Sequence, residues 1–176
     1  MATSIVNEYV SLLERKQVIT ENLQTLPLGY VSKKTIRGNI QCYLQRRESG
    51  KIIGQYIKNE DVEHVIAQID MRKALTKEWE SIEIRLKELE KAALLISKDL
   101  RCELTMYKLS VGMDSLDIEQ KKECSSFGDA MNAIEGVSAS EETVSEIVEW
   151  QQGNKTFLSL LRNNLKRCRV PAEAKI

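Results

Sequence analysis

Several kinds of chemistry lack raw material in this sequence. Its 176 residues include one histidine, two prolines, two tryptophans and two phenylalanines, and aromatics make up 5%. An aromatic-rich all-β protein is therefore not indicated. Neither sign of charge is in excess, since 26 Lys and Arg balance 26 Asp and Glu. No stretch approaches the roughly 18 consecutive apolar residues of a membrane-spanning helix. The N-terminal MATSIVNEY lacks the basic and apolar regions of a secretory signal. A cytoplasmic location is the expectation.

The four cysteines, Cys42, Cys102, Cys124 and Cys168, form no C-x-x-C pair, and His64 has no cysteine at short zinc-ligand spacing. No metal and no cofactor is expected, and the thiols are expected to be reduced and mostly buried. A single histidine beside Asn59, Glu60, Asp61 and Glu63 leaves little from which to build a nucleophile with its base. Neither a Walker A sequence nor G-x-G-x-x-G occurs. These absences argue against an enzyme.

What is present is helical periodicity. Ile5, Tyr9, Leu12, Ile19, Leu23 and Leu26 step by threes and fours, with Lys16 interrupting the seam, and Pro27 and Gly29 end the pattern. From Asn59 to Leu100 there is neither Pro nor Gly, and Leu75, Trp79, Ile82, Leu86, Leu89, Ala93, Ile96 and Leu100 alternate by four and three. This predicts one long heptad helix paired with the first in a hairpin. Upstream, the stripe Val62, Ile66, Ile69 slips near Arg72, where a bend or a change of partner is expected. The same seam would serve equally for a homodimeric coiled coil.

Between these helices the character changes. YVSKKTI, IQCYLQRR and KIIGQYIK are β-branched and aromatic runs separated by Gly38-Asn39 and Ser49-Gly50, a three-stranded antiparallel meander. Alternation sends Ile40, Cys42 and Leu44 to one face and Gln41, Tyr43, Gln45 and Arg47 to the other. From Gly29 to Lys58 the cations Lys33, Lys34, Arg37, Arg46, Arg47, Lys51 and Lys58 stand against Glu48 alone, a net charge of +6. Such a patch suits double-stranded DNA, with the cations on phosphates and Gln41, Tyr43 or Gln45 near base edges. The order Gly-Tyr-Val-Ser-Lys-Lys-Thr, short turn, Tyr-containing strand and Gly-Lys turn resembles the arm-type DNA-binding sheets of phage and transposon integrases.

Beyond Leu100, RCELTMYKLSVGM predicts a short helix ending near Gly112, and a module of three short helices follows. The first places Phe127, Ala130, Met131 and Ile134 on one side and closes at Glu135-Gly136. The next opens with a Ser138/Glu141 capping box and turns Val144, Ile147, Val148 and Trp150 inward. The last carries Phe157, Leu158, Leu160, Leu161 and Leu165, with Val170-Pro171 ending it. Glu141, Glu142, Glu146 and Glu149 read as a solvated acidic face. The stretch from Phe127 to Leu161 resembles the class I antitoxins of the VbhA type, small proteins that inhibit Fic-domain adenylyltransferases. The resemblance makes Glu135 the inhibitory carboxylate, pairing with an arginine that holds the ATP γ-phosphate, and Gly136 the last motif position. Met131 stands where that family carries Ser or Thr.

The expected fold is therefore mainly α with a small antiparallel meander, an α+β class. Residues 1–100 would form a helical hairpin with the basic sheet inserted at 29–58, and residues 101–176 a small helical module. The leading functional expectation is a non-enzymatic, antitoxin-like inhibitor from a mobile element, blocking a larger enzyme and binding double-stranded DNA. Two alternatives use the same parts: a phage-encoded anti-CRISPR protein that inhibits a CRISPR nuclease and contacts DNA, and a DNA-binding or scaffolding protein without inhibitory activity.

Overall fold

A computed structural model describes residues 2–36, 38–136 and 138–169. Helix α1 (Ala2–Thr25) leads to strands β1 (Tyr30–Ile36), β2 (Asn39–Glu48) and β3 (Lys51–Ile57). A 3-10 turn at Asn59–Asp61 opens α2 (Val62–Ile96), followed by α3 (Lys98–Asp114), α4 (Ile118–Ile134), α5 (Glu141–Gln151) and α6 (Phe157–Arg169). The class is α+β: mainly helical, with one antiparallel sheet in the order β1-β2-β3. Among the described residues no helix is long and apolar enough to cross a membrane. Val170 and Pro171, expected to end the last helix, lie outside the described residues.

The chain divides into two compact units, Glu14–Leu89 and Met1–Leu13 with Glu90–Ile176. The division falls inside α1 and α2, whereas the sequence pattern suggested one at residue 100.

In the Glu14–Leu89 unit the heptad stripe is buried: Ile19, Ile69, Leu75, Ile82, Leu86 and Leu89 are all core residues. Each such side chain contributes roughly 1.5–3 kcal/mol. The bidentate Arg15–Glu78 pair (2.7 and 2.9 Å) is exposed, so solvent screening leaves it a far smaller share. Apolar burial therefore holds α1 to α2 here, and the ion pair helps to set their alignment. Lys16, the interruption in the seam, is accommodated by an ion pair to Glu83 and by Trp79, whose ring centroid lies 4.9 Å from its Nζ. Trp79 is itself only half-buried and donates to Thr20 Oγ1 at 3.3 Å.

Where the stripe slips near Arg72, α2 runs on without a break. Arg72 reaches across to donate to the carbonyls of Leu23 and Leu26, the second at 2.7 Å. It thereby satisfies carbonyls that the end of α1 leaves free before Pro27. The break comes at Ser97, whose hydroxyl accepts from Leu100 N at 3.0 Å and caps α3.

The sheet register pairs Ser32 with Tyr43 and Tyr43 with Tyr56. Ser49 and Gly50, both at positive φ, make the two-residue turn that this register requires. Ile36 pairs with Asn39, so Asn39 already belongs to β2. Gly29 admits no side chain, because a Cβ would lie 2.2 Å from the Gln45 carbonyl oxygen. Cys42 and Ile57 are the buried residues of the inner face. Of the described thiols only Cys42 is buried; Cys102 and Cys124 are exposed, contrary to expectation.

The other unit is centred on Tyr9, Leu13, Ala93, Leu100, Leu104, Trp150 and Leu160, all buried. Tyr9 donates to Glu90 Oε1 at 2.7 Å. Trp150 packs on Phe157 with ring centroids 5.1 Å apart, and Asp114 organises the polar contacts beneath it. Asp114 Oδ1 accepts from the Trp150 indole (2.9 Å) and from Phe157 N (2.8 Å), while Oδ2 accepts from Ser110 Oγ (2.8 Å). Ser110 Oγ in turn accepts from Leu158 N at 3.0 Å, so a buried serine and a carboxylate cap the start of α6.

Candidate functional site

Because side chains alternate along a strand, the register sorts the sheet into two faces. The inner face carries Val31, Lys33 and Thr35; Ile40, Cys42, Leu44 and Arg46; and Ile53, Gln55 and Ile57. The outer face carries Tyr30, Ser32, Lys34 and Ile36; Gln41, Tyr43, Gln45 and Arg47; and Ile52, Gly54 and Tyr56. The alternation read in β2 thus holds across all three strands.

The outer face is built around three tyrosines. Tyr43 sits at its centre, edge-on to Tyr56 at 5.8 Å, with the Lys34 Nζ 5.3 Å from its ring centroid and its hydroxyl donating to Gln41 Oε1 at 2.7 Å. Tyr30 donates to Gln45 Oε1 at 2.8 Å. Tyr30 and Tyr56 are each 53% exposed, as few large side chains in a core-facing sheet would be. Beneath them the Ser32 hydroxyl is buried without a partner among the described residues. Tyr30, Tyr56 and Gly54 were not singled out from the sequence. Carrying the alternation through the two short hairpin turns would have found them.

The seven cations do not gather on this face. Lys34 and Arg47 do. Lys33 and Arg46 lie on the inner face, where Lys33 lines a cavity of about 250 Å³ with Val31, Ile66, Ile69 and Asp70, and Arg46 pairs with Glu48 at 3.3 Å. Lys51 opposes Glu48 at the turn, and Lys58 lies 3.8 Å from Glu60 just beyond β3. Arg37 lies outside the described residues. The net charge of +6 is a property of the segment, and the outer face expresses it as two cations flanking an aromatic and amide surface.

The second candidate is the end of α4. Glu135 is its C-cap and Gly136 follows at φ 70°, with Gly136 N donating to Ala133 O at 3.2 Å. This is the helix-end geometry that the sequence implied. Both residues are exposed, and Glu135 has no side-chain partner among the described residues.

The orientation of α4 overturns an expectation. Phe127, Met131 and Ile134 do share one side, but it faces outward: they are 70%, 42% and 80% exposed, and Ala130 is exposed too. The inward stripe is Lys121, Ser125, Gly128 and Asn132. Lys121 is buried with its Nζ 5.4 Å from the Trp150 ring, Ser125 Oγ accepts from Gln151 Nε2 at 3.1 Å, and the small residues let α5 approach. Ser125, Gly128, Asn132 and Trp150 help line a cavity of about 210 Å³. On α5 Trp150 is inward and Ile147 half-buried, whereas Val144 and Val148 are substantially exposed; on α6 Leu160 is buried and Leu165 exposed.

The cap of α5 also differs from the sequence reading. Ser140, not Ser138, is the N-cap, accepting from Thr143 N at 3.3 Å, so no Ser138/Glu141 box is formed.

Of the acidic residues of α5, Glu146 is drawn inward by partners on α6 and just before it, while Glu142 and Glu149 pair at the exposed rim. Glu146 accepts from Lys155 (2.9 Å), Asn163 (2.6 Å) and Arg167, Glu149 pairs with Lys155 at 3.2 Å, and Glu142 with Arg167 at 3.3 Å. Hydrogen bonding from Lys155, joined by Asn163 and Arg167, holds the Glu146 carboxyl down to about 2 against the resisting effect of burial. A carboxylate fixed by three donors is suited to structure and poorly suited to proton transfer. Among the described residues no group of three His, Cys, Asp or Glu side chains is placed to hold a metal ion.

No family model, no curated protein and no solved structure matches this chain.

Proposed function

We propose that the chain is a non-catalytic nucleic-acid-binding protein that uses the outer face of its sheet. The observation that carries this reading is the joint exposure of Tyr30 and Tyr56 beside Lys34, Arg47 and the two glutamines on one uncovered face. Cations neutralise phosphates, amides reach base edges and tyrosine rings meet bases, and the three groups occur together here. The test is fluorescence anisotropy with labelled DNA, duplex and single-stranded, across a salt series. Charge reversal at Lys34 and Arg47 together should weaken binding at least about tenfold and flatten the salt slope by about one per lost phosphate contact. An unchanged slope would remove this face from the interface.

A second reading adds inhibition of a larger enzyme, and the outward apolar side of α4 favours it. Phe127, Met131 and Ile134 run along the helix to the free carboxylate of Glu135, an arrangement suited to docking on a protein and presenting an anion to an arginine. A Fic adenylyltransferase or a CRISPR nuclease is the class of target this reading implies.

A further inference from the structure

We infer that the outer face of the sheet takes single-stranded nucleic acid, with unpaired bases stacking on Tyr56 and Tyr30 and one base seated over Gly54. This rests on the nucleic-acid reading of the same face and narrows its ligand.

Gly54 is the starting point. It lies in the interior of β3, between Ile52 and Tyr56 on the outer face and opposite Gln45. A glycine there weakens a strand, and structural causes that usually excuse it are missing. Its φ is not in the left-handed region, and a Cβ would meet nothing closer than Gln45 Cγ at 3.8 Å, an ordinary contact. The strand would therefore accept a side chain. Leaving it out opens a notch beside the exposed ring of Tyr56.

Gln45 supplies the second observation. Its Oε1 is occupied by the Tyr30 hydroxyl, so its amide nitrogen is turned to the other side. Nε2 lies 4.0 Å from the point where a Gly54 side chain would begin, and it has no partner among the described residues. An unused donor thus stands beside the notch, available to acceptor atoms on the edge of a base seated there.

The balance of charge and apolar surface decides between single and double strands. Duplex DNA offers phosphates and groove edges, and its base faces are already stacked. The outer face has two cations for phosphates but exposes Tyr30, Tyr56, Ile36 and Ile52. Ring faces of that kind find partners only on unstacked bases. Lys34 and Arg47 stand on either side of the tyrosine rows, where they would hold the backbone of a strand crossing them.

The test uses the full chain and three labelled probes of equal length: oligothymidylate, a mixed-sequence duplex, and an abasic single strand that keeps the phosphates but lacks bases. Oligothymidylate should bind about tenfold more tightly than either control. Tyr56→Ala should erase most of that advantage while leaving the weak abasic binding unchanged. Gly54→Val fills the notch with a strand-favouring side chain; it should keep or raise the melting temperature and still lower oligothymidylate affinity about tenfold. That variant separates the ligand effect from loss of folding. Duplex binding as tight as oligothymidylate, or full affinity in Gly54→Val, would overturn the single-strand inference and leave the broader reading standing. Absence of binding to all three probes at low salt would overturn both.

Discussion

Replacing Asp114 by alanine should destabilise the unit built around Trp150 by about 3 kcal/mol. The aspartate accepts from the Trp150 indole at 2.9 Å, from Phe157 N at 2.8 Å and from Ser110 Oγ at 2.8 Å. Trp150 is 2% exposed, so its N–H would lose its partner without gaining water, a cost of roughly 1–3 kcal/mol. Losing the cap on Phe157 N adds about 1 kcal/mol. Ser110 keeps its bond from Leu158 N and loses only the acceptor for its own proton, a smaller loss. Urea unfolding followed by Trp150 fluorescence in a Trp79→Phe background measures the change. Asp114→Asn serves as the internal comparison: its remaining oxygen can still accept from Trp150 and Phe157, so about 1 kcal/mol should be lost. A loss under about 1 kcal/mol in Asp114→Ala, or equal losses in the two variants, would refute the assignment of Asp114 as the shared acceptor.

Glu146 makes stability acid-sensitive. Its carboxyl is held at about 2 in the folded chain against an ordinary 4.5, so its contribution is fully present above pH 4.5 and is lost as pH falls toward 2. Solvent screening of its partners reduces the contribution to about 1–2 kcal/mol, and the difference between wild type and Glu146→Gln should shrink over that window. A difference that stays constant down to the lowest pH would show that the carboxylate is not the titrating group. On α4, Phe127→Glu and Ile134→Glu should each change stability by less than about 0.5 kcal/mol, because both side chains are already largely exposed, while abolishing capture of any protein that docks on this helix. A loss above about 2 kcal/mol in thermal melts would show that this side is covered in solution.

The contrast between α2 and α4 explains what the sequence could and could not convey. In α2 a long four-three alternation of apolar residues has one economical solution, burial against α1, and Leu75, Ile82, Leu86, Leu89 and Ala93 are buried. In the sheet, the turn residues and the two-residue period fix which side chains share a face, and β2 divides as its alternation requires. Periodicity tells which residues stand together, but it is silent on which side faces the core when both sides have something to offer. On α4 the side with Phe127, Met131 and Ile134 has more hydrophobicity, yet the opposite side has Ser125 and Gly128, over which α5 can pack closely, and Lys121 to lay on Trp150. A buried indole that finds both an aspartate for its N–H and an ammonium for its ring is a tertiary arrangement, joining residues far apart in the chain. The same limit governs the cations. Their net charge could be counted along the segment, but adjacent residues such as Lys33 and Lys34, or Arg46 and Arg47, point to opposite faces. Register therefore halves a charge patch that composition presents as one, and what it leaves on the outer face is a surface dominated by tyrosine rings.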